Sequence, residues 1–323
     1  MLPAGSLITV FGGSGFIGRH TVRLLAQRGY RVRAAERRPD LAGHLQPMGG
    51  PGQIMAVQAN LRDADSVRRA VDGAAGVVNL VAVLAEGGRQ RFEALHVAGA
   101  RTVARAAREA GALSLAQVSA IGASARSPSK YGQTKARGEA AVLAEFPGAV
   151  ILRPSIVFGP EDQFFNRFAG MAQSLPLMPV ISGKTRFQPV YVGDVAAAIV
   201  AGLEGAAKPG AAYELGGPEV FTFRELLTKT MEWSGHNRPL VWMPVWKAKF
   251  WAAMTKPLPS AMRSMTVDQV RLLCVDNVVS KDAEAQGRTL AGLGIAAPQT
   301  IEAVVPGYLE RFNPRGQYAH YRA

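Results

Sequence analysis

The sequence predicts an α/β protein with a doubly wound parallel sheet, a smaller C-terminal α/β lobe and an exposed tail. Two observations support this. Short apolar, β-favouring runs alternate with helical patterns over about the first 155 residues, and three glycines follow the first run directly. Strands separated by helical stretches favour a parallel sheet with helices on both faces. We predict strands at Leu7–Phe11, Arg31–Ala35, Ile54–Val57, Gly76–Val81, Leu115–Val118 and Ala149–Leu152.

The composition changes near residue 155, and we expect a first domain at 1–155 and a smaller lobe at 156–305. Beyond that point Pro and Gly become frequent and the helical stretches shorten. Within 186–205 a strand pattern is followed by an amphipathic helix, which we expect to return to the first sheet. The last segment lacks a core pattern, so 306–323 is predicted to be an exposed tail.

The charge balance favours an anionic partner. Lys and Arg total 37 against 24 Asp and Glu, a net charge of +13. No helix-turn-helix, zinc-finger spacing or aromatic ribonucleoprotein motif is recognisable, so nucleic acid is not expected. An acidic protein face or anionic lipid headgroups fit better, and a solvated surface charge is the alternative. The single cysteine, Cys274, excludes an intrachain disulfide, and the five histidines show no ligand spacing, so we expect no metal site.

The three glycines, Gly12, Gly15 and Gly18, stand at the predicted turn from the first strand into the first helix. There the backbone can bend tightly and approach a pyrophosphate without a Cβ in the way, and the N–H groups of the helix start hold the phosphate charge. This context predicts a dinucleotide-binding loop, and a tight turn without a ligand is the alternative. The loop residues Ser14, Phe16 and Ile17 are predicted to share the contact.

The end of the second strand selects the cofactor. Glu36 can accept a hydrogen bond from a ribose 2′-hydroxyl, whereas Arg37 and Arg38 can pair with a 2′-phosphate. We favour NADP(H), because two guanidinium groups offset one carboxylate, and NAD(H) is the alternative. Asn60 and Leu61, after the third strand, are placed to meet the adenine ring. Further cofactor contacts are predicted at Leu80, Val81, Ser119, Pro154 and Ile156.

Tyr131 and Lys135 lie four residues apart at the start of a predicted helix, so they share one face. Together with the glycines and the segment LRPSIVFGP at 152–160, this pair resembles the extended or atypical short-chain dehydrogenase/reductase superfamily. The resemblance implies a Rossmann fold. It also implies a Lys that binds the nicotinamide ribose and lowers the Tyr pKa, a Tyr that acts as general acid/base, and a Ser or Thr that positions the substrate oxygen.

The sequence departs from that superfamily at the last of these positions. Ser119 is followed by Ala120 and Ile121, where the catalytic hydroxyl is expected. We therefore expect no catalytic residue, with Tyr131 and Lys135 vestigial and kept as contacts to the cofactor. The alternative is a catalytic Tyr131.

A second resemblance covers the rest of the chain. The segment MTVDQVRLLCVDNVVS at 265–280, with the Pro- and Trp-rich segment before it, resembles the thirty-nine-kilodalton nucleotide-binding accessory subunit family of respiratory complex I. This implies a tightly bound NADPH with a structural role and a position at the junction of the peripheral and membrane arms, near the quinone site. It also implies other complex I subunits as partners rather than a free homo-oligomer. Arg37 matches the family's 2′-phosphate arginine, whereas Glu36 is unexpected. The strand pattern begins close to the N-terminus, so we expect a bacterial form, peripheral on the cytoplasmic face of the inner membrane.

Two other functions stay open: a free NADP-dependent reductase or sugar-nucleotide epimerase, and a membrane-surface or redox-sensing binding module. The segment PVWKAKFWAAM bears on the membrane question. If it is helical, Trp246, Phe250 and Met254 form one apolar stripe beside Lys247 and Lys249, a pattern suited to an anionic lipid surface. The competing interpretation is a core helix of the second lobe with snorkelling lysines.

Overall fold

The computed structural model describes residues 2–255, 265–314 and 316. Contacts divide the chain into two compact units. Unit 1 comprises Met1–Pro154, Val192–Leu215 and Val279–Ala297, and unit 2 comprises Ser155–Tyr191, Gly216–Val278 and Pro298–Ala323. Among the described residues no helix is both long enough and apolar enough to span a bilayer.

Unit 1 is built on a parallel sheet, which confirms the predicted fold class. In the described residues it has seven strands in the order β3-β2-β1-β4-β5-β6-β11, numbered along the whole chain. All six predicted strands occur, with ends shifted by up to two residues at each terminus. The strands are β1 (Leu7–Phe11), β2 (Arg31–Glu36), β3 (Ile54–Gln58), β4 (Gly76–Asn79), β5 (Ser114–Val118), β6 (Val150–Pro154) and β11 (Ala212–Leu215).

Helices connect these strands and cover the sheet. Asp63 caps α2 by accepting the N–H groups of Asp65 and Ser66, and Ser129 caps α4 by accepting that of Gly132. Helix α1 packs against α6, whereas α2, α3 and α4 pack side by side, as a doubly wound sheet requires. A π-helical stretch, Glu93–Gly99, leads into α3. The helices are α1 (Phe16–Gln27), α2 (Ala64–Val71), α3 (Ala100–Glu109), α4 (Lys130–Glu145), α6 (Val192–Leu203) and α10 (Lys281–Ala285).

Unit 2 has an aromatic core made by Phe158, Phe165, Phe168, Phe187 and Phe223. Its strands pair two by two within the described residues: β7 (Val157–Phe158) with β10 (Val190–Tyr191), β8 (Met178–Val180) with β13 (Leu240–Trp242), and β9 (Arg186–Phe187) with β12 (Phe221–Thr222). The helices are α5 (Phe165–Ser174), α7 (Phe223–Trp233), α8 (Val245–Met254), α9 (Val267–Leu272) and α11 (Ile301–Leu309).

Two segments belong to a different unit from the one that the predicted domain boundaries assign them to. Of the expected return at 186–205, helix α6 lies in unit 1, but β9 and β10 pair within unit 2. Residues 279–297, expected in the second lobe, lie in unit 1. Backbone bonding explains this, because the N–H of Glu214 in β11 donates to the carbonyl of Arg288, whose guanidinium donates to Ala212.

The predicted tail also begins inside folded structure. Helix α11 runs across residue 305, and Leu309 at its end is fully buried. The hydroxyl of Tyr308 donates to the buried carboxylate of Asp162, and the His236 ring donates to the carbonyl of Phe312. Residues 306–312 therefore pack within unit 2 rather than in a tail, whereas residues 315 and 317–323 lie outside the described residues.

Candidate functional site

The candidate site lies at the carboxyl edge of the unit 1 sheet. Because the strands are parallel, the segments that follow β1, β2, β3, β4, β5 and β6 all meet at this edge. Strand order reverses at β1, which lies between β2 and β4, and doubly wound sheets bind ligands at such a reversal. The structure brings to this edge the predicted cofactor residues of unit 1.

The glycine loop, Gly12–Gly18, leads from β1 into α1. Gly12 has a backbone φ of +80°, a conformation that residues with a side chain rarely adopt. A Cβ on Gly18 would lie 2.1 Å from the carbonyl oxygen of Gly12 and 2.6 Å from that of Gly13, so a larger residue does not fit. Helix α1 begins at Phe16 with no acidic residue in its first turn. The result is a cradle of backbone at a helix N-terminus, which fits a pyrophosphate.

Glu36 and its neighbours border this loop. The Glu36 carboxylate accepts the N–H of Ser14 at 2.6 Å, so it ties the end of β2 to the glycine loop. Arg37 and Arg38 are exposed beside it, and the side-chain amide of Gln90 lies against the Arg37 guanidinium. The edge thus offers cations next to a carboxylate that already has a backbone partner.

The predicted adenine contacts, after β3, separate in the structure. Asn60 is half-buried, and its side-chain oxygen accepts the N–H of Arg62 at 3.2 Å. Leu61 is buried in the hydrophobic core of unit 1. Asn60 is therefore the member of this pair whose side chain remains accessible at the edge.

The segment after β4 closes over the loop. A Cβ on Gly12 would lie 3.4 Å from Val81 and 3.6 Å from the backbone of Leu80. The buried Asn79 sets this turn, because its side-chain oxygen accepts the N–H of Val81 at 3.2 Å while its amide donates to Gln117 at 2.8 Å. Sequence reasoning did not single out Asn79 or Gln117, although polar residues at the ends of buried strands were a usable signal.

Tyr131 and Lys135 come together at the start of α4. Lys135 is 4% exposed, its Nζ donates to the Val118 carbonyl at 3.1 Å, and it lies 5.8 Å from the centre of the Tyr131 ring. Burial lowers the pKa of Lys135 to about 8, with Glu139 opposing the shift. Burial raises the pKa of Tyr131 to about 12. The Tyr131 phenol therefore stays protonated near neutral pH.

A histidine that the sequence did not point to lies under this pair. The His96 Nε2 accepts the N–H of Val83 at 3.2 Å, which leaves Nδ1 as the donor to the Thr134 hydroxyl at 3.1 Å. Its ring packs against Phe92 and edge-on against Tyr131. Burial, helped by the Lys135 charge, lowers the pKa of His96 to about 3, so the ring is neutral. No residue spacing in the sequence predicts these contacts.

The segment after β5 carries the departure from the reductase pattern. Ile121, where the hydroxyl is expected, is buried, and its N–H donates to the Pro154 carbonyl at 3.0 Å. Ser119 is 4% exposed, and its hydroxyl has no hydrogen-bond partner in the part of the chain that the structure describes. An unpaired buried hydroxyl costs about 1 to 3 kcal/mol, so it fits a site where a ligand supplies the partner. Ile156 lies in unit 2, where its carbonyl accepts the N–H of Val190.

Comparison with known proteins agrees with this geometry. Residues 8–216 match the model of the NAD dependent epimerase/dehydratase family. The mitochondrial NADH dehydrogenase (ubiquinone) 1 alpha subcomplex subunit 9 of Arabidopsis thaliana is 38% identical over 292 residues, 87% of this chain and 72% of that protein. The protein of the same name from Dictyostelium discoideum is 33% identical over 241 residues, 73% of this chain and 67% of its own.

Among solved structures, an NADPH-dependent quinone oxidoreductase from Escherichia coli superimposes with a TM-score of 0.71. It is 20% identical and covers 94% of this chain and 99% of its own, so it supports the fold alone. The family model covers most of the chain and is described as NAD dependent, so a nicotinamide dinucleotide is the cofactor class. The chain therefore belongs to the NAD dependent epimerase/dehydratase family and, within it, to the family of the complex I alpha subcomplex subunit 9, which confirms the resemblance found in the sequence.

Proposed function

We propose that this chain is a non-catalytic accessory subunit of respiratory complex I, the NADH:ubiquinone oxidoreductase. The relatives above are named as subunits of that complex, and their similarity extends over up to 87% of the chain. The observation that carries the non-catalytic role is the buried Ile121 at the place of the substrate-positioning hydroxyl.

The chemistry around Ile121 supports the same conclusion. Reduction of a carbonyl needs a proton donor that holds the substrate oxygen, with a pKa matched to its task. Ile121 offers no such group, and Ser119, the neighbouring hydroxyl, is buried. Tyr131 and Lys135 are then contacts that order the site rather than catalytic residues.

We propose NADP(H) as the dinucleotide. The glycine loop would hold the pyrophosphate, and Arg37 and Arg38 would pair with a 2′-phosphate. The Glu36 carboxylate accepts the N–H of Ser14 through one oxygen, which gives it a structural role at the glycine loop. A bound dinucleotide would supply phosphate charge and two ring systems that link the strand ends. Recognition of the 2′-hydroxyl by Glu36 would instead select NAD(H).

For the place of the subunit we propose the junction of the peripheral and membrane arms, near the quinone site, on the cytoplasmic face of a bacterial inner membrane. Its direct partners would then be other complex I subunits. The net charge of +13 supports contacts with acidic surfaces there. The single cysteine, Cys274, suits the reducing side of such a membrane.

The test is to purify the tagged chain from membranes in mild detergent and to measure the mass of its complex, the NADH:ubiquinone reductase activity and the extracted nucleotide. We expect the chain in an assembly with that activity, with NADP(H) bound. Arg37→Glu should lower the NADP(H) content roughly tenfold or more, because it replaces a charge-assisted contact with repulsion. Arg23→Glu, an exposed change in α1, is the control.

The free reductase or epimerase is the second candidate, because Tyr131 and Lys135 do share one face of α4. It predicts a chain outside any complex that turns over NADPH and loses this turnover in Tyr131→Phe while still folding. The proposal predicts that Tyr131→Phe leaves the reductase activity of the complex unchanged. A monomer free of complex I, or NADPH turnover by the pure chain, would contradict the proposed function.

A further inference from the structure

Helix α8 in unit 2 is attached to the rest of its unit by small side chains. Within α8 the buried residues are Ala248 and Ala252, which are 5% and 7% exposed. They form a small cluster with Ile181 and with the buried Val270 of α9. The helix therefore packs against the rest of unit 2 through its small residues and not through its large ones.

The large residues lie on the opposite side. Trp246, Phe250 and Met254 follow one another at four-residue spacing and are 66%, 58% and 58% exposed. Of the two interpretations of this segment, a core helix with snorkelling lysines does not fit, because the stripe of large residues is exposed. Trp251 and Trp242 are also exposed. We call the stripe of Trp246, Phe250 and Met254 on α8 the aromatic face.

An exposed aromatic face of this kind indicates a surface that is buried against a binding partner. Single exposed apolar residues are normal on protein surfaces, and Leu41, Met55 and Leu113 in unit 1 are examples on three different segments. A contiguous apolar patch is different, because it marks an interaction site.

The charges beside the aromatic face favour an anionic binding partner. Helix α8 carries Lys247 and Lys249 and no acidic residue, and the Lys247 Nζ lies 5.5 Å from the centre of the Trp246 ring. From Arg238 to Arg271 the sequence holds six Lys or Arg and one Asp. A second copy of this chain would bring like charges together, which opposes self-association through this face.

The mixture of residues favours a bilayer over an acidic protein. Trp and Phe rings are suited to the boundary between lipid headgroups and acyl chains, and long lysine side chains reach from there to the phosphates. An acidic protein would pair with the lysines but would not by itself account for an outward stripe of large apolar side chains.

We propose that the aromatic face docks on an anionic bilayer surface, with its rings at the headgroup boundary and Lys247 and Lys249 on lipid phosphates. The inference rests on the proposed function in that a membrane complex supplies the bilayer. The interaction itself needs no other subunit, so it can be measured on the isolated full-length chain.

The experiment is co-sedimentation with vesicles of phosphatidylcholine containing phosphatidylglycerol, compared with pure phosphatidylcholine. We expect binding to the anionic vesicles, a blue shift of the tryptophan fluorescence and weakening by salt. The triple change Trp246→Gln, Phe250→Gln, Met254→Gln should lower vesicle affinity roughly tenfold or more. The double change Lys247→Glu, Lys249→Glu should lower it to a similar degree, about tenfold.

Matched controls separate this face from bulk properties. Leu113→Gln with Met55→Gln removes exposed apolar side chains in unit 1, and Arg23→Glu with Arg101→Glu makes the same change in net charge elsewhere. Both controls should bind anionic vesicles nearly as well as the unmodified chain. Equal losses in controls and in α8 variants, or full binding by the triple variant, would overturn the proposal.

Two further readouts keep the outcomes distinct. Light scattering that shows dimers abolished by the triple variant, without vesicle binding, would assign the face to a second copy of the chain and overturn the lipid proposal. The lipid proposal would also be overturned if the unmodified chain did not bind vesicles and the triple variant lost its association with complex I. A partner protein would then be the ligand of the aromatic face. Nucleotide content is measured on the same samples: its absence counts against the proposed function, whereas lost vesicle binding with nucleotide retained bears on α8 alone.

Discussion

The glycine loop of unit 1 and the aromatic face of unit 2 are opposite ways to build an interaction surface. In the loop, backbone atoms approach so closely that a Cβ at Gly18 has no room. On α8 the large side chains face solvent, and Ala248 and Ala252 make the contact with the protein. A substitution in the loop should therefore damage fold and binding together. A substitution on the aromatic face should change binding and leave the fold intact.

The largest expected effect is that of Gly18→Ala. The new Cβ would lie 2.1 Å from the Gly12 oxygen, and the obstacle is backbone that cannot rotate away. We expect a loss of about 3 kcal/mol of unfolding free energy and a chain purified without dinucleotide. Denaturant unfolding and nucleotide extraction measure the two effects. Gly43→Ala is the control, since nothing described lies within 4 Å of a Cβ there. Similar behaviour of both variants would mean that the close backbone approach at Gly18 does not limit the fold.

The second prediction concerns pH and probes how tightly the carboxyl edge is packed. Burial lowers the pKa of His96 to about 3 from 6.5, so the unfolded chain binds more protons between these values. Stability should therefore fall as the pH drops below 6.5, by about 2 kcal/mol between pH 7 and pH 5.

This pH dependence should be smaller in His96→Gln, because the glutamine has no proton to gain. His44→Gln, on the exposed surface, serves as the control and should keep the full dependence. If the unmodified chain and His96→Gln show the same change of stability with pH, the His96 ring is not the source of the pH dependence. Thermal unfolding of the three chains across this pH interval makes the measurement.

The third prediction tests the buried side of α8. Ala248→Leu forces three extra carbon atoms into the cluster with Val270 and should cost about 1 to 2 kcal/mol. Ala253→Leu, at an exposed position of the same helix, should cost much less, and it controls for helix propensity. Chemical denaturation compares the two. Equal stability would mean that the small residues do not hold the helix.

The sequence predicts the loop well because local sterics dictate it. Glycine spacing behind a β-favouring run leaves few conformations, and Gly12 does have positive φ. The six predicted strands of the sheet occur for a related reason, since buried parallel strands read as apolar runs. The return of residues 279–297 to unit 1 was out of reach, because it depends on hydrogen bonds between β11 and a segment far along the chain.

His96 and α8 show where such reasoning stops. The partners of His96, Val83 and Thr134, lie 13 and 38 residues away, and no periodic pattern encodes such contacts. For α8 the stripe at four-residue spacing was visible, but periodicity alone does not say which side of a helix faces the protein. Large apolar residues usually mark the core side, and here two alanines do.

The smallest expected effect is on the stability of Phe250→Gln. Phe250 is 58% exposed, so little burial is lost, and glutamine favours helix slightly more than phenylalanine does. The unfolding free energy should stay within about 0.5 kcal/mol of the unmodified chain, whereas affinity for anionic vesicles falls. Ala253→Gln, a second exposed change in α8, should alter neither quantity. A loss of stability above about 1 kcal/mol in Phe250→Gln would place this ring in the core of unit 2, since exposed positions rarely cost that much.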